Sequence, residues 1–221
     1  LPGLADLAHR SGALLAVDNT VPTPVLTRPL ALGADIVMHA ATKYLNGHTD
    51  VVAGALVTAR TEGIWPRLGE IRHDQGAILG PFEAWLLTRG MRTLFPRVRH
   101  ACGSAMHLAV ALKDHPRVER VLYPGLPTHK GHTLAASQMQ GGFGGMLSIL
   151  VKGGGEAAIA AAARVELWKR ATSLGGVESL IEHRASIEGA GSPVSASLLR
   201  LSVGLEAWED LLTDLDAALG G

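Results

Sequence analysis

Short apolar runs and helical spacings alternate along the first part of the chain. Runs rich in β-branched residues predict strands, whereas apolar residues that recur at three- and four-residue spacings predict helices. We predict strands at Ala13–Val17, Ile36–His39, Ala53–Thr58 and Val118–Leu122. We predict helices at Leu4–Arg10, Ile64–His73, Pro81–Leu87 and from about Leu94 to Lys113. This alternation favours an α/β fold with a mostly parallel sheet.

A loop rich in Pro and Gly, Tyr123–Pro127, marks a predicted domain boundary. Beyond this loop we predict helices at His132–Met139, Glu156–Ala163 and Trp208–Leu219 and strands at Met146–Val151 and Leu199–Val203. We therefore expect two domains: residues 1–125 form part of a large domain, and residues 126–221 form a small C-terminal α/β domain.

Composition argues against several classes of function. Twenty basic residues balance twenty acidic ones, so we expect no nucleic-acid partner and no polybasic membrane surface. The single cysteine, Cys102, excludes an intramolecular disulfide and fits a cytoplasmic location. No apolar run reaches the roughly 18 residues of a membrane span. His129 and His132 lie three residues apart, but no nearby Cys or carboxylate completes a metal site, so we predict none.

Two polar residues that follow apolar runs indicate chemistry. Asp18 ends the run Ala13–Val17, and Lys43 follows the run Ile36–His39. A lysine at one strand end can form a Schiff base with pyridoxal phosphate (PLP), and a carboxylate at a neighbouring strand end can keep the pyridine nitrogen protonated. Taken singly, each residue is more simply a surface lysine or a strand-terminal aspartate. The pair, with its flanking residues, favours a cofactor site.

Several segments spread over nearly the whole chain carry a family resemblance. They are Val17–Thr20, Ala41–His48 (Ala-Thr-Lys-Tyr-Leu-Asn-Gly-His), Trp85–Leu94, Gly142–Met146, Ser173–Gly176 and Leu199–Glu206. Together they resemble the Cys/Met-metabolism family of PLP enzymes, which includes cystathionine γ-synthase, the cystathionine lyases and methionine γ-lyase. The resemblance implies the aspartate-aminotransferase-like fold (fold-type I), with residues 1–125 belonging to the large PLP-binding domain.

The resemblance also implies which residues bind the cofactor. Lys43 is implied to form the lysine aldimine and to carry protons as the catalytic residue. Asp18 is implied to pair with the pyridine nitrogen, Thr20 to pack at the cofactor and Thr42 to bind its phosphate. The family's Ser or Thr two residues before Thr42 is replaced by Ala40, which removes a hydrogen bond worth about 1–3 kcal/mol.

Two further residues are implied to bind the substrate. Arg200 and Ser173 resemble the family residues near the substrate α-carboxylate. Arg200 also places a charge within an apolar strand, where it needs an anionic partner. The ordinary alternative is an edge-strand arginine paired with Glu or Asp. For Ser173 the ordinary alternative is a helix N-cap or a turn.

As a whole, the resemblance implies a trans-sulfuration enzyme that acts on a small amino-acid substrate, such as cystathionine or an activated homoserine. It also implies a homodimer or homotetramer, and a chain that is N-terminally incomplete. Elimination by a C–S lyase and γ-replacement by a synthase both stay open. The alternative from another class is a non-catalytic fold-type I scaffold that no longer binds PLP. Ala40 favours that alternative, whereas the retention of Asp18 and Lys43 opposes it.

Overall fold

The structure is a computed structural model that describes residues 1–189 and 191–220. The chain forms two compact units, Leu1–Leu94 and Phe95–Gly221. The domain boundary that we predict after residue 125 stays a prediction, and residue 221, which ends the predicted small domain, lies outside the described residues. In the described part of the chain, no helix combines the length and the apolar character that crossing a bilayer requires.

The first unit combines four α-helices and one 3-10 helix, Pro29–Leu32, with a three-stranded sheet in the order β1-β2-β3. The strands are β1 Ala16–Asp18, β2 Ile36–Ala40 and β3 Gly54–Thr58, and the helices are α1 Pro2–Arg10, α2 Thr23–Leu26, α3 Ile64–Gln75 and α4 Pro81–Met91. Strands β1 and β2 run parallel, whereas β2 and β3 run antiparallel. The parallel part of this sheet is therefore one pair. The connection from β2 to β3 contains no helix, which suffices for antiparallel strands but not for a parallel crossover.

The first strand begins later than its apolar run predicts. The backbone amide of Leu15 donates to the Asp35 carboxylate at 2.8 Å instead of entering the strand ladder. His9 contacts the same carboxylate oxygen at 2.9 Å. The ladder with β2 therefore starts at Ala16, opposite Ile36.

In its described residues, the second unit combines five helices with a five-stranded sheet in the order β4-β5-β8-β7-β6. The strands are β4 Val118–Leu122, β5 Met146–Val151, β6 Lys169–Arg170, β7 Leu180–His183 and β8 Leu198–Ser202, and the helices are α5 Leu94–Leu112, α6 His132–Gln138, α7 Gly154–Arg164, α8 Arg184–Glu188 and α9 Trp208–Leu219. Neighbouring strands are antiparallel except for the parallel pair β6 and β7. The sequence predicts most of these elements, but not β6, β7 or α8.

The core of the second unit lies on one face of its sheet. Alternate residues of β5 and β8 pack there with the apolar faces of α5, α7 and α9. Buried members of this core include Leu108, Leu112, Leu147, Ile149, Ala158, Leu199, Leu201, Leu211 and Leu215. Because side chains alternate between the two faces of a strand, Ser148 and Arg200 project from the opposite face. That second face carries the polar residues described below.

Candidate functional site

Asp18 and Lys43 lie at one edge of the first sheet. Asp18 is the last residue of β1, and Lys43 follows the end of β2 by three residues. Since β1 and β2 are parallel and Asp18 stands opposite Met38, the carboxyl ends of both strands meet at the same edge. This is the edge at which open α/β sheets bind their ligands.

The Asp18 carboxylate is exposed and only partly engaged. One of its oxygens, Oδ1, accepts a hydrogen bond from the Thr20 backbone amide at 2.9 Å. No other hydrogen bond to this carboxylate occurs within residues 1–189 and 191–220, so Oδ2 can accept one from a ligand. The Thr20 hydroxyl in turn accepts from the Ala40 amide at 2.8 Å, which fastens the turn after β1 to the end of β2.

A tight turn holds Lys43. The Lys43 amide donates to the Ala40 carbonyl at 3.0 Å, and the Lys43 carbonyl accepts from the Gly47 amide at 2.8 Å. The adjoining Tyr44 and Leu45 are buried. The backbone that carries the lysine is therefore fixed on both sides, although the side chain is itself partly exposed.

The Thr42 hydroxyl already has backbone partners. It accepts from the Ala53 amide at 2.9 Å and donates to the Ala53 carbonyl at 3.3 Å. A hydroxyl has one proton to donate, so Thr42 could bind a phosphate oxygen only by giving up the longer of these bonds. Its predicted role at the phosphate stays a prediction.

His39 is a buried titratable group on β2, close enough to Asp18 for their charges to interact. Burial lowers the pKa of His39, and this effect opposes the Asp18 charge and a hydrogen bond to the Asn19 backbone, which both raise it. The Nδ1 atom is buried and has no hydrogen-bond partner among the described residues. A neutral imidazole fits these surroundings, and it leaves the Asp18 charge available to another cation.

Gly90 brings helix α4 against the turn that carries Lys43. A Cβ atom at Gly90 would collide with the backbone carbonyl of Asn46. We expect Gly90→Ala to destabilise the protein by about 1–3 kcal/mol, because the Asn46 carbonyl can avoid the added methyl group only if the whole turn moves. The intrinsic helix preference of alanine, about 1 kcal/mol, acts in the opposite direction.

Urea unfolding checks this prediction, with Gly69→Ala in α3 as the matched control. A Cβ atom at Gly69 would meet no neighbour within 4 Å, so the control should be as stable as wild type or slightly more stable. Equal stability of the two variants would show that the turn at Asn46 moves without cost.

Arg200 and Ser173 meet on the polar face of the second sheet. The Arg200 Nη2 atom donates to the Ser173 carbonyl at 2.9 Å and pairs with the Glu182 Oε2 atom at 2.7 Å. Burial lowers the pKa of Arg200, while the Glu182 charge raises it. Arg200 is thus paired with a carboxylate, as the ordinary alternative to substrate binding predicts. However, its strand β8 is central and not an edge strand.

Glu182 belongs to this site, although the sequence predicts no role for it. It stands directly opposite Arg200 in the pairing of β7 with β8, and its side chain is 3% exposed. The available signal was a charge directly after the short apolar run Leu180–Ile181. Such a run is too short to predict a strand or its register, so the pairing could not be identified from sequence.

Comparisons with known proteins find relatives along the whole chain. The family model described as Cys/Met metabolism PLP-dependent enzyme matches residues 1–220. Cystathionine gamma-synthase of Mycobacterium tuberculosis is 47% identical over 225 residues, which cover 100% of this chain and 58% of that protein. Cystathionine beta-lyase of Coxiella burnetii is 43% identical, with 99% of this chain and 58% of that protein covered.

Solved structures show the same likeness. MetB from Corynebacterium glutamicum matches with a TM-score of 0.94 and 44% identity, over 99% of this chain and 57% of that one. CalE6, a methionine gamma lyase from Micromonospora echinospora, matches with a TM-score of 0.92 and 39% identity, over 100% of this chain and 58% of that one. The chain thus spans a little over half the length of these relatives. The predicted α/β fold of fold-type I is confirmed, and the chain belongs to the Cys/Met-metabolism family of PLP-dependent enzymes.

Proposed function

We propose that the complete protein is a PLP-dependent trans-sulfuration enzyme. It acts on the Cβ–S or Cγ–X bond of a small amino-acid substrate, such as cystathionine or an activated homoserine. The observation that carries this proposal is the meeting of Asp18 and Lys43 at one sheet edge, in a chain 47% identical to a cystathionine gamma-synthase. A cytoplasmic homodimer or homotetramer is part of the same proposal.

The residues at this edge fit PLP in their donor chemistry. Asp18 offers a carboxylate oxygen that has no hydrogen-bond partner within the described ranges, and a pyridinium nitrogen needs such an acceptor. Lys43 supplies an amine for the cofactor aldehyde, and Thr20 stands beside Asp18. When bound, PLP withdraws electrons from the substrate Cα.

The other chemical tasks belong to the chain's own side chains. The Lys43 amine carries a proton between the substrate Cα and its Cβ or Cγ, which is general acid–base catalysis by a positioned group. The fixed turn from Ala40 to Gly47 supports this task because it limits where the lysine can reach. Arg200 and Ser173 hold the substrate α-carboxylate, which all candidate substrates share.

We expect Arg200→Ala to weaken the binding of every amino-acid substrate to a similar extent. Removal of one partner from a buried charge pair commonly costs about 2–5 kcal/mol, and this loss should appear in kcat/KM for cystathionine, an O-acylhomoserine and methionine alike. Arg200→Lys should restore only part of the loss, because an ammonium cannot reproduce planar donors.

Arg67→Ala is the control. Arg67 pairs with Glu70 at 3.0 Å on helix α3, and we assign it no substrate contact, so kcat/KM should stay close to that of wild type. A loss in Arg200→Ala that is confined to one substrate would place Arg200 at the side-chain end of the substrate instead.

An absorption spectrum distinguishes the enzyme from a non-catalytic scaffold. The full-length protein, incubated with PLP and desalted, should retain a visible band that borohydride removes. A colourless protein would favour the scaffold. Assays that offer both cystathionine alone and an activated homoserine with cysteine then separate elimination from γ-replacement, because one releases ammonia and the other forms a new thioether.

A further inference from the structure

A row of polar residues crosses the second sheet beside the proposed substrate anchor. Ser148 on β5, Arg200 on β8 and Glu182 on β7 stand opposite one another in the strand register. The Glu182 carboxylate is buried, whereas the Arg200 side chain is 20% exposed. Arg200 is therefore paired with a buried carboxylate, while part of its own side chain stays exposed.

The contacts of the guanidinium leave part of it open. Both protein contacts, Glu182 Oε2 at 2.7 Å and the Ser173 carbonyl at 2.9 Å, go to the Nη2 atom. Within the described ranges, Nε and Nη1 of Arg200 have no protein acceptor. These are the donors that remain for a carboxylate ligand, and their direction is set by the contacts on Nη2.

The charges around Glu182 balance. Arg184 Nη1 contacts the same Glu182 oxygen at 3.3 Å, and Arg184 Nε pairs with Glu188 at 2.6 Å. Two arginines thus face two glutamates. A substrate carboxylate that binds Arg200 adds a negative charge to a neutral cluster, so Glu182 must weaken its binding.

We propose that Glu182 is a positioning residue for Arg200 that also limits how tightly the substrate carboxylate is held. This inference rests on the proposed function and names a further residue of that same site. Through Oε2, Glu182 fixes the guanidinium so that Nε and Nη1 face the ligand. Through its charge, it offsets the attraction of Arg200 for anions, which keeps the product carboxylate from being retained.

Two variants of similar size separate the two effects. Glu182→Gln removes the charge but keeps an acceptor for Nη2, and Glu182→Met removes both. The substitution by Gln breaks no second hydrogen bond, because Glu182 Oε1 has no partner among the described residues. The difference in KM between the Gln variant and wild type therefore measures the effect of the charge. The difference in KM between the Met and Gln variants measures the effect of the positioning.

The experiment measures KM and kcat of the full-length enzyme for an amino-acid substrate and for its α-carboxamide analogue. For the carboxylate substrate, we expect KM to fall about threefold in Glu182→Gln and to be about tenfold higher in Glu182→Met than in Glu182→Gln. The carboxamide analogue should show no fall in KM in Glu182→Gln, because it lacks the charge that Arg200 binds, and a smaller rise in Glu182→Met, because its single carbonyl oxygen accepts fewer hydrogen bonds than a carboxylate. A merely structural role would affect both compounds alike.

Two results would overturn the inference: a KM for the carboxylate substrate in Glu182→Gln that is no lower than in wild type, or equal values in the Gln and Met variants. The Gln variant keeps the contact to Nη2, so its comparison with wild type decides the matter even if the Met variant does not fold. Failure of the proposed function looks different, because wild type itself would then show no turnover or no preference for the carboxylate.

Discussion

Lys43→Ala should abolish turnover of the full-length enzyme, with a loss of at least about 10⁴-fold, because the lysine both links to the cofactor and carries protons. Lys43 is the only lysine in residues 1–112, so no lysine nearby in the sequence can take its place. Borohydride reduction followed by peptide mapping measures the link directly: wild type should carry a pyridoxyl group on the peptide that contains Lys43, and the variant should carry none.

Lys152→Ala is the control for this prediction. Lys152 donates to the Pro116 carbonyl at 2.8 Å in the second unit, and its removal should leave turnover unchanged. A pyridoxyl group found on Lys113, Lys130, Lys152 or Lys169 in the reduced wild type would refute the assignment of Lys43.

Asp18→Asn should lower kcat by about two to four orders of magnitude, which corresponds to about 3–5 kcal/mol of barrier. Asparagine can still accept from the Thr20 amide, as Asp18 does at 2.9 Å, so the turn should stay intact. What is lost is the negative charge that keeps the ring nitrogen protonated and the ring a strong electron acceptor.

Asp35→Asn tests whether such a loss is specific. Asp35 lies on the same unit, where it accepts from the Leu15 amide at 2.8 Å and contacts His9. Its substitution should reduce stability while kcat stays within about twofold, because it is a fold contact with no role in the chemistry. Near wild-type kcat in Asp18→Asn would mean that another group faces the ring nitrogen.

Local patterns predict the fold where an element is long or strongly apolar. The continuous apolar runs that become β2 and β5 are placed correctly, as are the helices α5 and α9. The misses have a common cause, which is contact between distant segments. The amide of Leu15 turns to Asp35 and delays β1, and β7 depends on pairing with β8 more than on its own four residues.

The features of the candidate site are likewise only partly predictable from the sequence. The position of Asp18 and Lys43 at the same edge of the sheet follows from a rule about parallel strands, so the sequence is sufficient to predict it. The engagement of the Thr42 hydroxyl by Ala53 and the pairing of Arg200 with Glu182 depend on which backbones lie side by side. No spacing of residue types encodes these two contacts, and both change the interpretation of a predicted site residue.

The central position of β8 in its sheet affects how readily its backbone unfolds locally. Strand β8 is paired with β5 on one side and β7 on the other, and its residues Leu199 and Leu201 are fully buried. Backbone amides in such a strand exchange with solvent only when the sheet itself separates, whereas amides in loops exchange through small local openings. The strand that carries Arg200 should therefore be among the last segments to take up deuterium, and it should keep its geometry through fluctuations that open the surrounding loops.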